Sequence, residues 1–166
     1  WQERLRKQSM ALPDELSLEE LEQLEEHTWV MDEALRLHPP LPFMPRVTVA
    51  ETEFGGFRIP PGIVAGFAPL VVHRDPRHWT RPDMFDPERF SSDRAEHKSH
   101  AYAFTPYGGG RHLCVGKRFG QLEIRSTLHQ LLKKVRWSVP HGYEMPFQFM
   151  PIGKPTDGLP VRITAI

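Results

Sequence analysis

The stretch Thr105-Pro-Tyr-Gly-Gly-Gly-Arg-His-Leu-Cys-Val-Gly-Lys-Arg-Phe-Gly-Gln-Leu-Glu123 constrains the fold most, because it drives a glycine turn into a helix around the chain's only cysteine. Consecutive glycines permit positive φ and close backbone approach to a bulky planar group. Phe119, Leu122, Leu128, Leu131 and Leu132, interleaved with charges, predict an amphipathic helix over Val115 to Leu132. A thiol at such a junction meets helix N–H groups and the positive charge of Arg111 and His112, the setting in which a thiolate is presented to a metal. A single cysteine excludes an internal disulfide and leaves a buried inert thiol or a ligating one. The neighbours favour the ligating one.

At 166 residues the chain is long enough for one domain with a hydrophobic core and too short for two. Its 17 prolines imply extended segments and turns beside the helices. Lys+Arg and Asp+Glu both number 21, so overall charge gives no case for nucleic acid or membrane binding. The charge is uneven: glutamates 19, 20, 22, 25 and 26 make an acidic early helix, whereas the cysteine half is basic. There is no Asn and hence no N-glycosylation sequon. No apolar run approaches the ~18 residues of a membrane span, and nothing resembles a signal peptide. The start at Trp1, in a charged segment, suggests an internal piece of a longer protein, with any anchor outside it.

In chain order, Trp1 to Leu12 reads as the end of a helix, and Ser17-Leu-Glu-Glu20 has the form of a capping box. Leu18, Leu21 and Leu24 follow at helical spacing, and a second run beyond His27 ends at Pro39-Pro40. Glu33 and Arg36 share a face of that run, a pair worth a few tenths of a kcal/mol (~0.3) if it lies on the surface. Arg46 to Ala50 is β-rich, Gly55-Gly56 marks a hairpin between residues 52–54 and 57–59, and Ile63 to Phe67 continues the strands. Val71 to Phe90 carries three prolines and excludes long regular structure; Ser91 to His100 reads as a polar surface loop. Val135 to Ile166 supplies small sheets, with Leu159 to Ile166 as the last strand.

Tyr107-Gly-Gly-Gly-Arg-His-Leu-Cys-Val-Gly116 resembles the haem-binding loop of the cytochromes P450, Phe-x-x-Gly-x-Arg-x-Cys-x-Gly. Gly110, Cys114 and Gly116 fall on its fixed positions, Tyr107 replaces Phe, His112 replaces the commoner Arg, and Gly120 stands where Ala is usual. Glu33-Ala-Leu-Arg36, followed by Leu-His-Pro-Pro, resembles the family's Glu-x-x-Arg helix; Pro87-Glu-Arg-Phe90 resembles the element whose arginine, here Arg89, completes a Glu, Arg, Arg network. Arg46, in the strand after that helix, matches an arginine that in many members binds a haem propionate. His73-Arg-Asp-Pro76 and Trp79 read as packing and capping.

The resemblance implies an α+β, mainly α fold: a cytochrome P450-like C-terminal part with the Glu-x-x-Arg helix, small β-sheets, an irregular meander, the cysteine loop and a long helix. Residues 1–166 would be the haem-binding portion of one domain lacking the distal helix and most of the substrate pocket, and inactive alone. Cys114 would ligate the iron of haem b, the only chemical role in this piece. His112 and Arg46 would take propionates, Tyr107, Gly108, Gly110 and Gly120 would shape the cradle, and N–H groups near Val115 and Gly116 would tune the sulfur. The implied reaction inserts one oxygen atom of O2 into a small apolar molecule, with electrons from a ferredoxin- or flavoprotein-type donor and no nucleic acid. Rearrangement or dehydration of an already oxidised substrate at the same site, and a non-catalytic haem-binding fragment, stay open. Phe43 and Met44 suggest an apolar pocket wall, and the location implied is cytoplasmic. Lys117, Arg118, Arg125 and Lys133 read as a solvated basic face, on the side where an electron donor would dock. Gly116-Lys117 lacks the earlier glycine and the Ser/Thr of a P-loop, and His97-x-x-His100 lacks the further ligands zinc requires.

Overall fold

The Ser17 hydroxyl accepts the Glu20 N–H at 3.2 Å and the Glu20 carboxylate accepts the Ser17 N–H at 2.8 Å, the reciprocal cap that the sequence predicts. The computed structural model describes residues Trp1 to Ile166. Ahead of the cap lies α1 (Gln2–Met10); behind it come α2 (Leu18–Glu22) and α3 (Glu25–Leu37), which stops before Pro39-Pro40. His27, placed before the second run by its sequence, is inside α3 and buried, 3.1 Å from the Ser9 hydroxyl of α1.

The strands β1 (Met44–Val47), β2 (Thr52–Phe54), β3 (Phe57–Ile59) and β4 (Val64–Phe67) form two antiparallel pairs. β2 and β3 close over Gly55-Gly56, both at positive φ, while β1 pairs with β4 so that Arg46 lies opposite Ala65. The first strand begins two residues earlier than its composition suggests and ends at Val47. Thr48 stops it, since its hydroxyl donates to the Pro60 carbonyl at 2.7 Å and accepts the Ile63 N–H at 3.0 Å. Gly66 is required where it stands, because a Cβ there would collide with the Met44 carbonyl and the Phe43 ring.

After the short α4 (Pro69–Val72) the chain runs irregularly to Gly116, with 3-10 turns at Pro87–Phe90, Glu96–Lys98 and Gly110–His112. α5 (Lys117–Lys134) then passes directly into β5 (Val135–Ser138). β6 (Phe147–Gln148) pairs with β7 (Lys154–Pro155), and β5 with β8 (Arg162–Ala165), shorter than the predicted last strand.

α1, α2 and α3 all pack on α5. Arg6 fixes the far end by donating to the Leu132 and Val135 carbonyls. Two residues of the predicted solvated stripe on α5 are anchors instead: Arg125 is buried and donates to the Leu21 carbonyl at 3.0 Å, and Lys133, 13% exposed, donates to Leu12 and pairs with Asp14. α2 covers the first of these and the α1–α2 connection the second. On the opposite account, Phe119, expected in the core, is 73% exposed.

The apolar core is Trp79, Phe90 and Ala103, with Trp29 and Phe104 packed against it. Only 23 of 166 residues are buried, while Val47, Val64, Val115 and Phe119 stay open to solvent. Apolar exposure on that scale marks a face meant for contact. No helix is long and apolar enough to cross a membrane.

Candidate functional site

The glycine loop is a ladder of turns. The Gly108 N–H donates to the Thr105 carbonyl at 3.1 Å, the Cys114 N–H to the Tyr107 carbonyl at 3.0 Å, and the Leu113 N–H to the Gly110 carbonyl at 3.2 Å. Gly108 (φ +73) and Gly110 (φ +60) occupy the left-handed region, and a Cβ on Gly108 would press on the His112 carbonyl at 3.3 Å. The turns leave the Cys114 thiol exposed and free. Gly116 caps α5 without a side chain, so the helix begins three residues after the cysteine, and the Val115 and Gly116 N–H groups have no main-chain acceptor.

Arg46 of β1 meets the cysteine loop here. Arg46, His112 and Cys114 line one cavity of about 340 Å³ together with Met44, Pro106 and Tyr107. Phe43, Leu35 and Leu41 make its walls apolar. A larger cavity, about 500 Å³, meets the loop at Gly109 and Gly110 and is otherwise lined by residues such as His78, His100 and Tyr102, without the thiol. Chemistry at sulfur therefore belongs to the smaller one. Val115 and Gly116 follow the cysteine in sequence, and Gly120 sits one turn into α5 with open space where a Cβ would stand.

Behind the loop lies a small cavity of about 190 Å³ that includes Asp32, Tyr107, Gly108, Lys117 and Gln121 in its lining. Burial pushes the Asp32 carboxyl up to about 7, against the pull of Lys117 and Arg125, and one of its oxygens has no hydrogen-bond partner. Burial, with Asp32 nearby, raises the Tyr107 phenol to about 12, so it stays protonated. The Lys117 ammonium lies 5.4 Å from the Tyr107 ring centroid.

Glu33 and Arg36, a surface pair by spacing alone, are wholly buried. Arg36 grips Glu33 bidentately, Nε to Oε2 at 2.6 Å and Nη2 to Oε1 at 2.8 Å; Arg89 Nε reaches Oε1 at 3.1 Å and the Asp86 N–H donates to it at 2.7 Å. Most of the remaining guanidinium hydrogens go to carbonyls, Arg36 to His73 (2.7 Å) and Pro82 (2.6 Å) and Arg89 to Thr80 (2.8 Å), while Arg89 Nη1 also donates to the Glu96 carboxylate. The Arg36 guanidinium also lies 5.2 Å from the centroid of Trp79.

Sequence reasoning missed three participants. Glu96, from the segment read as a polar surface loop, pairs with Arg89 at 2.7 Å and balances the second arginine. Asp32 adjoins Glu33 in sequence and carried no signal of its own. His73, read as packing, accepts the Thr105 N–H through Nε2 at 2.9 Å. The histidines of the weak zinc pattern diverge: His97 stacks on Phe90, and His100 lies beside His78 and Tyr102.

A sequence model described as cytochrome P450 matches residues 1–161. The chain is 45% identical over 165 residues to a Mycobacterium tuberculosis protein described as cytochrome P450 136, covering 97% of this chain and 33% of that one. Over 130 residues it is 36% identical to cytochrome P450 71B5 of Arabidopsis thaliana, 78% of this chain and 26% of that one. Among solved structures, the cyanobacterial CYP120A1 with retinoic acid bound superposes with a TM-score of 0.90 at 30% identity, over 99% of this chain and 38% of that one. The chain thus spans about a third of the length of the relatives it matches over nearly all its residues.

Proposed function

The chain belongs to the cytochrome P450 family, whose members bind haem b, and we propose that it is the cysteine-bearing portion of a haem-thiolate monooxygenase domain. The observation that carries this reading is the meeting of Arg46, His112 and Cys114 in one apolar-walled cavity. The residues suit haem b. The thiol is open to a ligand, Arg46 and His112 in the same cavity would take the propionates, and the apolar Leu35, Phe43 and Met44 would suit a porphyrin edge. When bound, haem supplies activation of O2 and transfer of one oxygen atom to a substrate.

The work of this chain is to hold and orient. Cys114 would ligate the iron, the Val115 and Gly116 N–H groups that follow it in the chain have no main-chain acceptor and would be free to serve the sulfur, and Tyr107 with Gly108 lines the small cavity behind the loop. Gly110 gives the loop its turn, and Gly120 keeps the first turn of α5 slim. Glu33, Arg36 and Arg89 are structural. The rest of the protein completes the pocket over the exposed apolar face, and these 166 residues alone are expected to be inactive. The substrate is a small apolar molecule, electrons come from a ferredoxin- or flavoprotein-type donor, and the location is cytoplasmic.

The whole protein, reduced and exposed to carbon monoxide, is expected to show the Soret band of a thiolate-ligated ferrous complex, and Cys114→Ser to lose it. A wild type without that band, or a serine variant that keeps it, would sink the assignment.

A further inference from the structure

We propose that His73 is a positioning residue of the cysteine loop, coupling the buried Glu33–Arg36–Arg89 cluster to the main chain from which Cys114 hangs. The inference rests on the reading of Cys114 as the ligand, but its geometry does not depend on it. His73 is held from two sides. Its carbonyl accepts Arg36 Nη1 at 2.7 Å, and its Nε2 accepts the Thr105 N–H at 2.9 Å, 32 residues further along the chain. An N–H can only donate, so Nε2 must present its lone pair and the proton belongs on Nδ1. That nitrogen is buried and has no hydrogen-bond partner.

The ring is wholly buried and packs on Phe104 at 5.2 Å, which fixes its plane. Burial also pushes the imidazole down to about 4, so the acceptor persists at neutral pH. Thr105 is itself buried at 7% exposure, so removing the imidazole takes away the acceptor of a buried N–H. From Thr105 the ladder is short. Its carbonyl receives the Gly108 N–H, and the adjacent Tyr107 carbonyl receives the Cys114 N–H. A shift of the Glu33–Arg36 cluster therefore moves the His73 carbonyl, its ring, and the fixed end of the loop in series.

The test uses the whole haem-loaded protein as its ferrous carbon monoxide complex, comparing wild type with His73→Phe, which cannot accept a hydrogen bond, and His73→Gln, whose side-chain oxygen can. Amide hydrogen exchange at Thr105 and Gly108 is followed beside the rate at which the thiolate-type band is lost in mild denaturant. Loss of the acceptor is expected to speed both by about tenfold or more, with amides inside α3 unchanged and Gln restoring both to within a few-fold of wild type. Equal impairment by Phe and Gln would reduce His73 to a space-filler and overturn the proposal. So would a wild-type Thr105 amide that exchanges as fast as those of Gly109 and Gly110, a result readable even if the Phe variant does not fold. A protected Thr105 in a protein with no thiolate-type band would instead overturn the functional assignment and leave the positioning role standing.

Discussion

Glu33 has no solvent to fall back on: one carboxylate receives three guanidinium hydrogen bonds and one main-chain N–H inside a wholly buried site. Such an arrangement is weak as a source of net stability, because desolvating the charges offsets their attraction, but breaking it leaves charge buried and uncompensated. Glu33→Gln would leave Arg36 and Arg89 with only Glu96 and carbonyl dipoles. The expected loss is about 3–5 kcal/mol, read as a fall in the denaturant midpoint of the whole protein. A loss below about 1 kcal/mol would mean that the two arginines are neutralised by groups other than Glu33. The motif's spacing showed that Glu33 and Arg36 share a face; it could not show that the face is inside, since burial here is produced by the 73–96 segment folding back with its carbonyls, and irregular chain has no period to read.

At the scale of elements, legibility follows locality. The capping box, the Gly55-Gly56 hairpin and α5 depend on residues near one another in sequence, and each stands where its pattern places it. What failed was the assignment of a helix face, because the basic stripe of α5 is covered by residues 12–22, far away in sequence. Of the basic stripe, Arg125 is tied to α2, Lys133 to the α1–α2 connection, and Arg118 pairs with Glu22 at 2.5 Å. Lys117, with Arg111 in the adjoining turn, is the part of that surface without an ion-pair partner, beside the cysteine loop. If an acidic electron donor docks on this face, Lys117→Glu should slow its reduction of the whole protein several-fold, by about 2–10-fold at low salt, with the difference fading as salt screens the surface. Arg118→Glu should do less, since its charge is already countered. Equal, unaltered rates for both variants would place the donor elsewhere.

The whole molecule carries its acid sensitivity in groups that the sequence shows only as ordinary histidines and one aspartate. Burial pushes both His27 and His73 down to about 4, while burial raises Asp32 to about 7. Between about pH 6.5 and 4 an unfolded chain binds two protons that the folded histidines refuse, so stability is full above that window and falls as pH drops through it. Asp32 acts in the opposite sense: from about pH 7 down to 3.8 the folded chain keeps a proton that the unfolded chain releases, which adds stability as pH falls. For these three groups, two protons against one give a net loss of about 1.4 kcal/mol for each pH unit of acidification across the shared window, and His38 and His97, also held down by burial, add to it in the same sense. Asp32→Asn removes the opposing proton without changing the histidines. Its unfolding free energy should therefore exceed the wild type's near neutrality, where the ionised carboxyl is no longer buried, and should fall more steeply with acid, by about 1.4 kcal/mol more for each pH unit. Denaturant midpoints of the whole protein measured from pH 7 to pH 4.5 decide this: parallel slopes for wild type and variant would mean that Asp32 is ionised throughout, with a counter-charge in the remainder of the protein reaching the small cavity behind the cysteine loop.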